Sequence, residues 1–223
     1  MTVPSSGLLP LDPIVKVIEL IVKLINMGQK SRYNVFREYL TPLFEGIRSV
    51  HVFYADLFAK ALQSLPIEGN NARWGIPGID PEITVTTDMI AERVATVKKE
   101  FLQGRNKDLS VRDEVRTGIS VIFGKVKHLE EKRFVVAFAY YFLEEPAVLD
   151  EESIDLEIKY IEEAGGILAL GTPATYLLNY MEKKEEPTEL RRIFEGALRT
   201  QNQKFQQVSK TFAELKFLMS QHP

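Results

Sequence analysis

Histidine, paired carboxylates and an isolated Arg-Trp are the residues here whose types and spacing could do chemistry. The chain has three histidines, His51, His128 and His222, and no cysteine. Lacking cysteine, it has no disulfide, no thiolate nucleophile and no Cys-based zinc site. A helical di-iron centre needs Glu-x-x-His pairs. The positions three residues before His51 and His128 are Arg48 and Lys125, so that class is excluded. His-Glu-x-x-His, the phosphate-cradling Gly-x-x-x-x-Gly-Lys-Ser/Thr, Gly-x-Gly-x-x-Gly and Gly-x-Ser-x-Gly are absent as well.

His51 lies in "SVHVFY", on a helical face shared with Ile47, Tyr54 and Phe58. As a functional group it would be a buried base or pH switch paired with Glu45 or Asp56. As a structural group it would be a histidine at the core edge, bonded to a neighbour. His128 with Glu131 could share a helical face and touch a metal, but the charged segment "KHLEEKR" favours a solvated pair. His222, the penultimate residue, is expected to fray.

Carboxylates three apart on a helix can hold Mg²⁺, and Glu152-x-x-Asp155 and Glu182-x-x-Glu185 have that spacing. At about 100° per residue, however, the first pair falls opposite Ile154, Ile158 and Ile161, on a solvated face. The second pair sits among lysines at a helix end. Arg73 and Trp74 lie in a Gly/Pro-rich stretch. Tryptophan and arginine are favoured at binding hot spots, but a loop tryptophan also serves to plug its loop onto the core.

Overall charge is small: 28 Lys/Arg against 31 Asp/Glu, for a net of −3. Its distribution is uneven. Residues 98–133 hold ten bases and six acids, and residues 144–163 hold nine acids and one base, Lys159. Such segregation suits complementary patches for self-association or a partner, or simply charged outer faces. Aromatics are not interleaved with the bases, so nucleic acid is a poor fit.

Punctuation and periodicity place these groups on helices. Asp12 and Pro13 open a helix that Gly28 closes; Ser31 caps the next. Thr41-Pro42 predicts a kink or restart, followed by helix to about Ser64. Apolar residues at 43, 47, 50, 54, 57, 61 and 65 mark its buried face. Residues 66–84 carry three prolines and three glycines and read as an irregular connection. Helix returns at 88–103 with Ile90, Val94, Val97 and Phe101 inward, ends at Gly104, and restarts at Ser110 with Val111, Val115, Ile119, Ile122 and Val126.

The run "FVVAFAYYFL" at 134–143 reads as a buried helix, because no convincing partner strand exists. An acidic helix follows at 151–163. The last helix starts near Pro187 and reaches toward Met219, with Leu190, Phe194, Ala197, Gln201, Phe205, Val208, Phe212, Leu215 and Met219 in one row. The expectation is an all-α, single-domain bundle of about seven to eight helices, built from antiparallel hairpins, with a long C-terminal helix.

The first helix bears on membranes. Ten of the fifteen residues 14–28 are Ile, Val, Leu or Met, but Lys16, Glu19, Lys23 and Asn26 form a polar stripe. A bilayer span would bury three charges, and the stripe is too narrow and too mixed in sign for an interfacial helix. The apolar arc predicts a helix sunk deep in the bundle. The N-terminus lacks the basic residues of a secretory signal, and the absence of cysteine makes a reducing, cytoplasmic location the simplest expectation.

Taken together, the residues predict a non-catalytic helical interaction or regulatory module acting through a protein partner or self-association. No catalytic residue, metal ligand or cofactor is assigned. Arg73, Trp74 and His51 are the candidate binding residues. The alternatives are a Mg/Mn-dependent helical hydrolase or small-molecule binder using inter-helix carboxylates, and membrane-surface association through the N-terminal helix.

Overall fold

The computed structural model describes residues 12–26, 31–65, 67–68, 74–75, 85–142, 148–164 and 187–221. It shows an all-α fold. In chain order the elements are α1 (Asp12–Ile25), α2 (Arg32–Val35), a π-helical turn (Phe36–Leu40), α3 (Thr41–Ser64), α4 (Thr87–Lys125), α5 (Leu129–Tyr141), α6 (Glu151–Ala164) and α7 (Pro187–Gln221). Among the described residues the only β pairing is Ile67–Glu68 against Trp74–Gly75, two residues a side, within the stretch read as irregular.

Local chemistry explains the starts. The Ser31 hydroxyl accepts from the Asn34 N–H at 3.4 Å and that of Thr86 accepts from the Met89 N–H at 3.3 Å, each satisfying an orphan donor of the first turn. Pro42 has the predicted effect in a specific form. It lacks an N–H and its ring crowds the preceding turn, and the helix widens into the π turn just before it. There the Thr41 N–H reaches back to the Phe36 carbonyl.

One expectation is corrected. Gly104 does not end a helix, since α4 runs unbroken from Thr87 to Lys125. A mid-helix glycine costs only about 1 kcal/mol against alanine, which a 39-residue helix can absorb. Of the residues expected to face inward on α4, Ile90, Val97, Ile119 and Ile122 are buried, as is Val126 just past its end. The side chains of Phe101, Val111 and Val115 lie outside those described.

The core joins α3, α5 and α7. All seven apolar positions of the α3 row, through Leu65, are buried. Helix α5 is buried almost all round, with Phe134, Val135, Val136, Ala137, Phe138, Ala139 and Tyr141 all inside. An aromatic ladder runs between these helices. Phe44 stacks on Phe212 with centroids 4.1 Å apart, Phe36 on Phe212 at 5.7 Å, and Phe58 meets Phe194 edge-on at 6.0 Å. These pairings run in opposite sequence order, so α3 and α7 are antiparallel.

Helix α1 packs against α3 and α4 through two glycine notches. A Cβ on Gly46 would stand 2.7 Å from Val17 Cγ2, and one on Gly118 only 1.7 Å from Ile21 Cγ2. Val17 and Ile21 are fully buried by this close approach, but Val15 and Val22 remain 38% and 46% exposed. The wet edge of α1 is thus wider than its polar stripe predicts. Among the described residues α1 packs chiefly on α3 and α4, and two helices cover one side of a cylinder, not three quarters of it.

Candidate functional site

His51 projects from α3 between α5 and α7. Its ring stacks on Phe205 at 4.1 Å with planes 9° apart, and its Nδ1 lies 3.3 Å from the Tyr141 hydroxyl. Burial holds the imidazole below its ordinary pKa and pushes the Tyr141 phenol far above its own. Both groups are therefore neutral near pH 7, one donating and the other accepting. Neither expected carboxylate is its partner: Glu45 pairs with Arg48 at 2.7 Å, and Asp56 with Lys60 at 2.6 Å. Each pair joins residues on one turn of α3, where an ion pair forms without crossing to another helix. Beside Tyr141, Gln201 Nε2 donates to its backbone carbonyl at 3.4 Å. The result is a polar seam in an apolar core that aligns three helices.

Glu131 is a buried carboxylate that the sequence pattern misplaces on the surface. Only 2% exposed, it accepts from the Lys127 and His128 N–H groups at 3.3 Å each and from Arg32 Nε at 3.1 Å. Arg32 also reaches Glu130 at 2.9 Å. "KHLEEKR" is thus a helix cap that ties α2 to the start of α5, rather than a solvated pair or a metal site. The signal for it in the sequence is an acid three residues after a cap position, the spacing of a capping box.

Arg191 performs a similar task at the other end of α3. Its Nη1 donates to the carbonyls of Leu62 and Leu65 at 2.8 and 3.1 Å, placing a cation where the helix dipole is negative.

The acidic helix α6 divides its charges between two directions. Ile154, Ile158 and Ile161 are buried. On its flanks, Asp155 accepts a bidentate pair from Arg133 at 2.7 and 2.5 Å, Glu151 pairs with Lys210 at 2.5 Å, and Glu162 pairs with Lys132. The Arg133 hydrogen bond pulls the Asp155 carboxyl below its ordinary pKa, and Lys210 does the same for Glu151. The Glu152-x-x-Asp155 pair is thereby split, one carboxylate engaged by Arg133 and the other on the surface. Among the described residues no group of His, Asp and Glu is placed to hold a metal ion. Glu182, Glu185, Arg73 and His222 lie outside the described residues, and so does the Trp74 side chain.

The outermost line of α6 is apolar at its centre. Leu156 is 60% and Tyr160 48% exposed, four residues apart on one face, with Glu152 a turn before and Glu163 just beyond. Val148, ahead of the Asp150 cap, is exposed as well. Among the described residues no helix is long and apolar enough to cross a membrane. Compared with known protein families, curated proteins and solved structures, the chain finds no match.

Proposed function

We propose that this chain is a non-catalytic helical interaction module that acts through protein–protein contacts. The observation that carries it is the outward Leu156–Tyr160 pair on α6. Large apolar side chains adjacent on one helix face, rimmed by charge, are typical of docking surfaces. The groups with chemical potential support the same reading by their engagements: His51 with Tyr141 and Phe205, Glu131 with a helix cap and Arg32, Asp155 with Arg133. Each ties helices together.

Size-exclusion chromatography with light scattering, at low and high salt, combined with affinity capture from the native extract, tests the proposal. The intact chain is expected to enter a stoichiometric complex heavier than itself. A strict monomer that captures nothing overturns the reading.

A further inference from the structure

We propose that the outer face of α6 seats a basic amphipathic helix of a partner protein, an assignment that rests on the reading of the chain as an interaction module. Four residues define the seat. Taking Leu156 as the centre line, at about 100° per residue Glu163 lies within about 20° of it and Glu152 and Tyr160 within about 40°. The stripe therefore reads Glu152, Leu156, Tyr160, Glu163, an apolar pair between two acids, with Lys159 at its edge.

Charge selects the occupant. Glu151, Asp155 and Glu162 on the flanks are met by Lys210, Arg133 and Lys132 of this chain. Glu152 and Glu163 have no ion-pair partner among the described residues. A partner that buries Leu156 and Tyr160 must therefore supply positive charge at both ends of the contact, because bringing another acid there would be repulsive. A second copy docking by the same face would bring its own Glu152 and Glu163 to this acidic surface, and an anionic bilayer would be repelled likewise.

Geometry sets the spacing. Glu152 and Glu163 are eleven residues apart, about 16 Å along the axis. The matching helix carries Lys or Arg about eleven positions apart, with two aliphatic residues one turn apart between them, packing side by side on α6 as one helix does on another's face. A 14-residue α6 offers one short face. The contact is thus smaller than the roughly 800 Å² per partner of a permanent interface, and it suits a transient, salt-sensitive partner.

The test uses the full chain and a synthetic 18-residue helical peptide with two leucines one turn apart, flanked by lysines eleven apart. A scrambled peptide and one with glutamate for lysine are the controls. The expected result is saturable binding of the first peptide alone, weakened at least tenfold by Leu156→Ser with Tyr160→Ser. Glu152→Lys with Glu163→Lys should switch preference to the glutamate peptide. These positions are exposed, so circular dichroism should show every variant folded. Equal binding of the scrambled peptide, or binding that survives loss of Leu156 and Tyr160, overturns the seat. Should the chain's native complex persist in the Leu156/Tyr160 variant, the seat is wrong while the interaction reading stands. Should no complex form at all, both fall.

Discussion

Adding one methyl group at Gly118 sets two effects of opposite sign against each other. Gly118 lies in the interior of α4, where alanine is favoured over glycine by about 1 kcal/mol. Its absent Cβ would stand 1.7 Å from Ile21 Cγ2 and 3.1 Å from Ile21 Cβ. Carbon atoms in contact sit about 3.5–4.0 Å apart, so α1 would have to withdraw by roughly 2 Å at that point. A rotamer change cannot relieve the clash, because the β-branched Ile21 is stiff at χ1 and its own Cβ is already close. Overpacking of this kind costs about 1–3 kcal/mol. An overlap this severe belongs at or above the top of that range, so Gly118→Ala should destabilise by about 2 kcal/mol net.

For a chain of this length that is a fall in Tm of about 4–8 °C. Gly124 in the same helix, with nothing within 4 Å of its added Cβ, is the control: Gly124→Ala should stabilise by up to about 1 kcal/mol. The assay is thermal and urea unfolding of wild type, both single variants, Ile21→Ala, and Ile21→Ala with Gly118→Ala. The cost of the added methyl should largely vanish in the Ile21→Ala background. A Gly118→Ala chain as stable as Gly124→Ala would refute the close α1–α4 approach.

Other perturbations separate the remaining contacts. Glu131→Ala leaves the Lys127 and His128 N–H groups and Arg32 Nε without their acceptor, while Arg32 keeps its bond to Glu130, and should cost about 2 kcal/mol by urea denaturation. Asp155→Asn removes the charge from a bidentate pair that is about a third exposed, so its cost should be near 1 kcal/mol and shrink in high salt. The folded-state pKa of His51 lies below its ordinary value, so the unfolded chain binds the proton more readily. Its contribution is complete above about pH 6.5 and is lost as pH falls through the folded pKa. Across that window His51→Gln should lose less stability than wild type, measured by urea midpoints at pH 7.5 and 5.

Elements built on local periodicity are legible in the sequence. The α3 row, the three isoleucines of α6 and most of the α7 row are buried where a helical repeat puts them, because one face of a helix is fixed by spacing alone. Thr41-Pro42 announces its disturbance for the same local reason. Contacts across long separations are not legible. Tyr141 lies 90 positions from His51, and nothing in either segment names the other. Glu131 is hidden differently: its neighbours are charged, and only the cap geometry shows that it turns inward. Gly104 misleads because its helix-breaking tendency is small against the continuity of α4. Of the candidate site, the acidic character of α6 and its outward face can be read from spacing. That Glu151, Asp155 and Glu162 find ion-pair partners while Glu152 and Glu163 find none among the described residues depends on where the fold brings Lys210, Arg133 and Lys132.

A photo-crosslinking amino acid placed at position 156, and in parallel at the exposed Gln203 of α7, tests the central claim most directly. If α6 is the docking face, the Leu156 position should yield one discrete protein adduct in the native extract, reduced by Glu152→Lys with Glu163→Lys, while the Gln203 position yields none. Identical adduct patterns from the two positions, or no adduct from position 156, would contradict it.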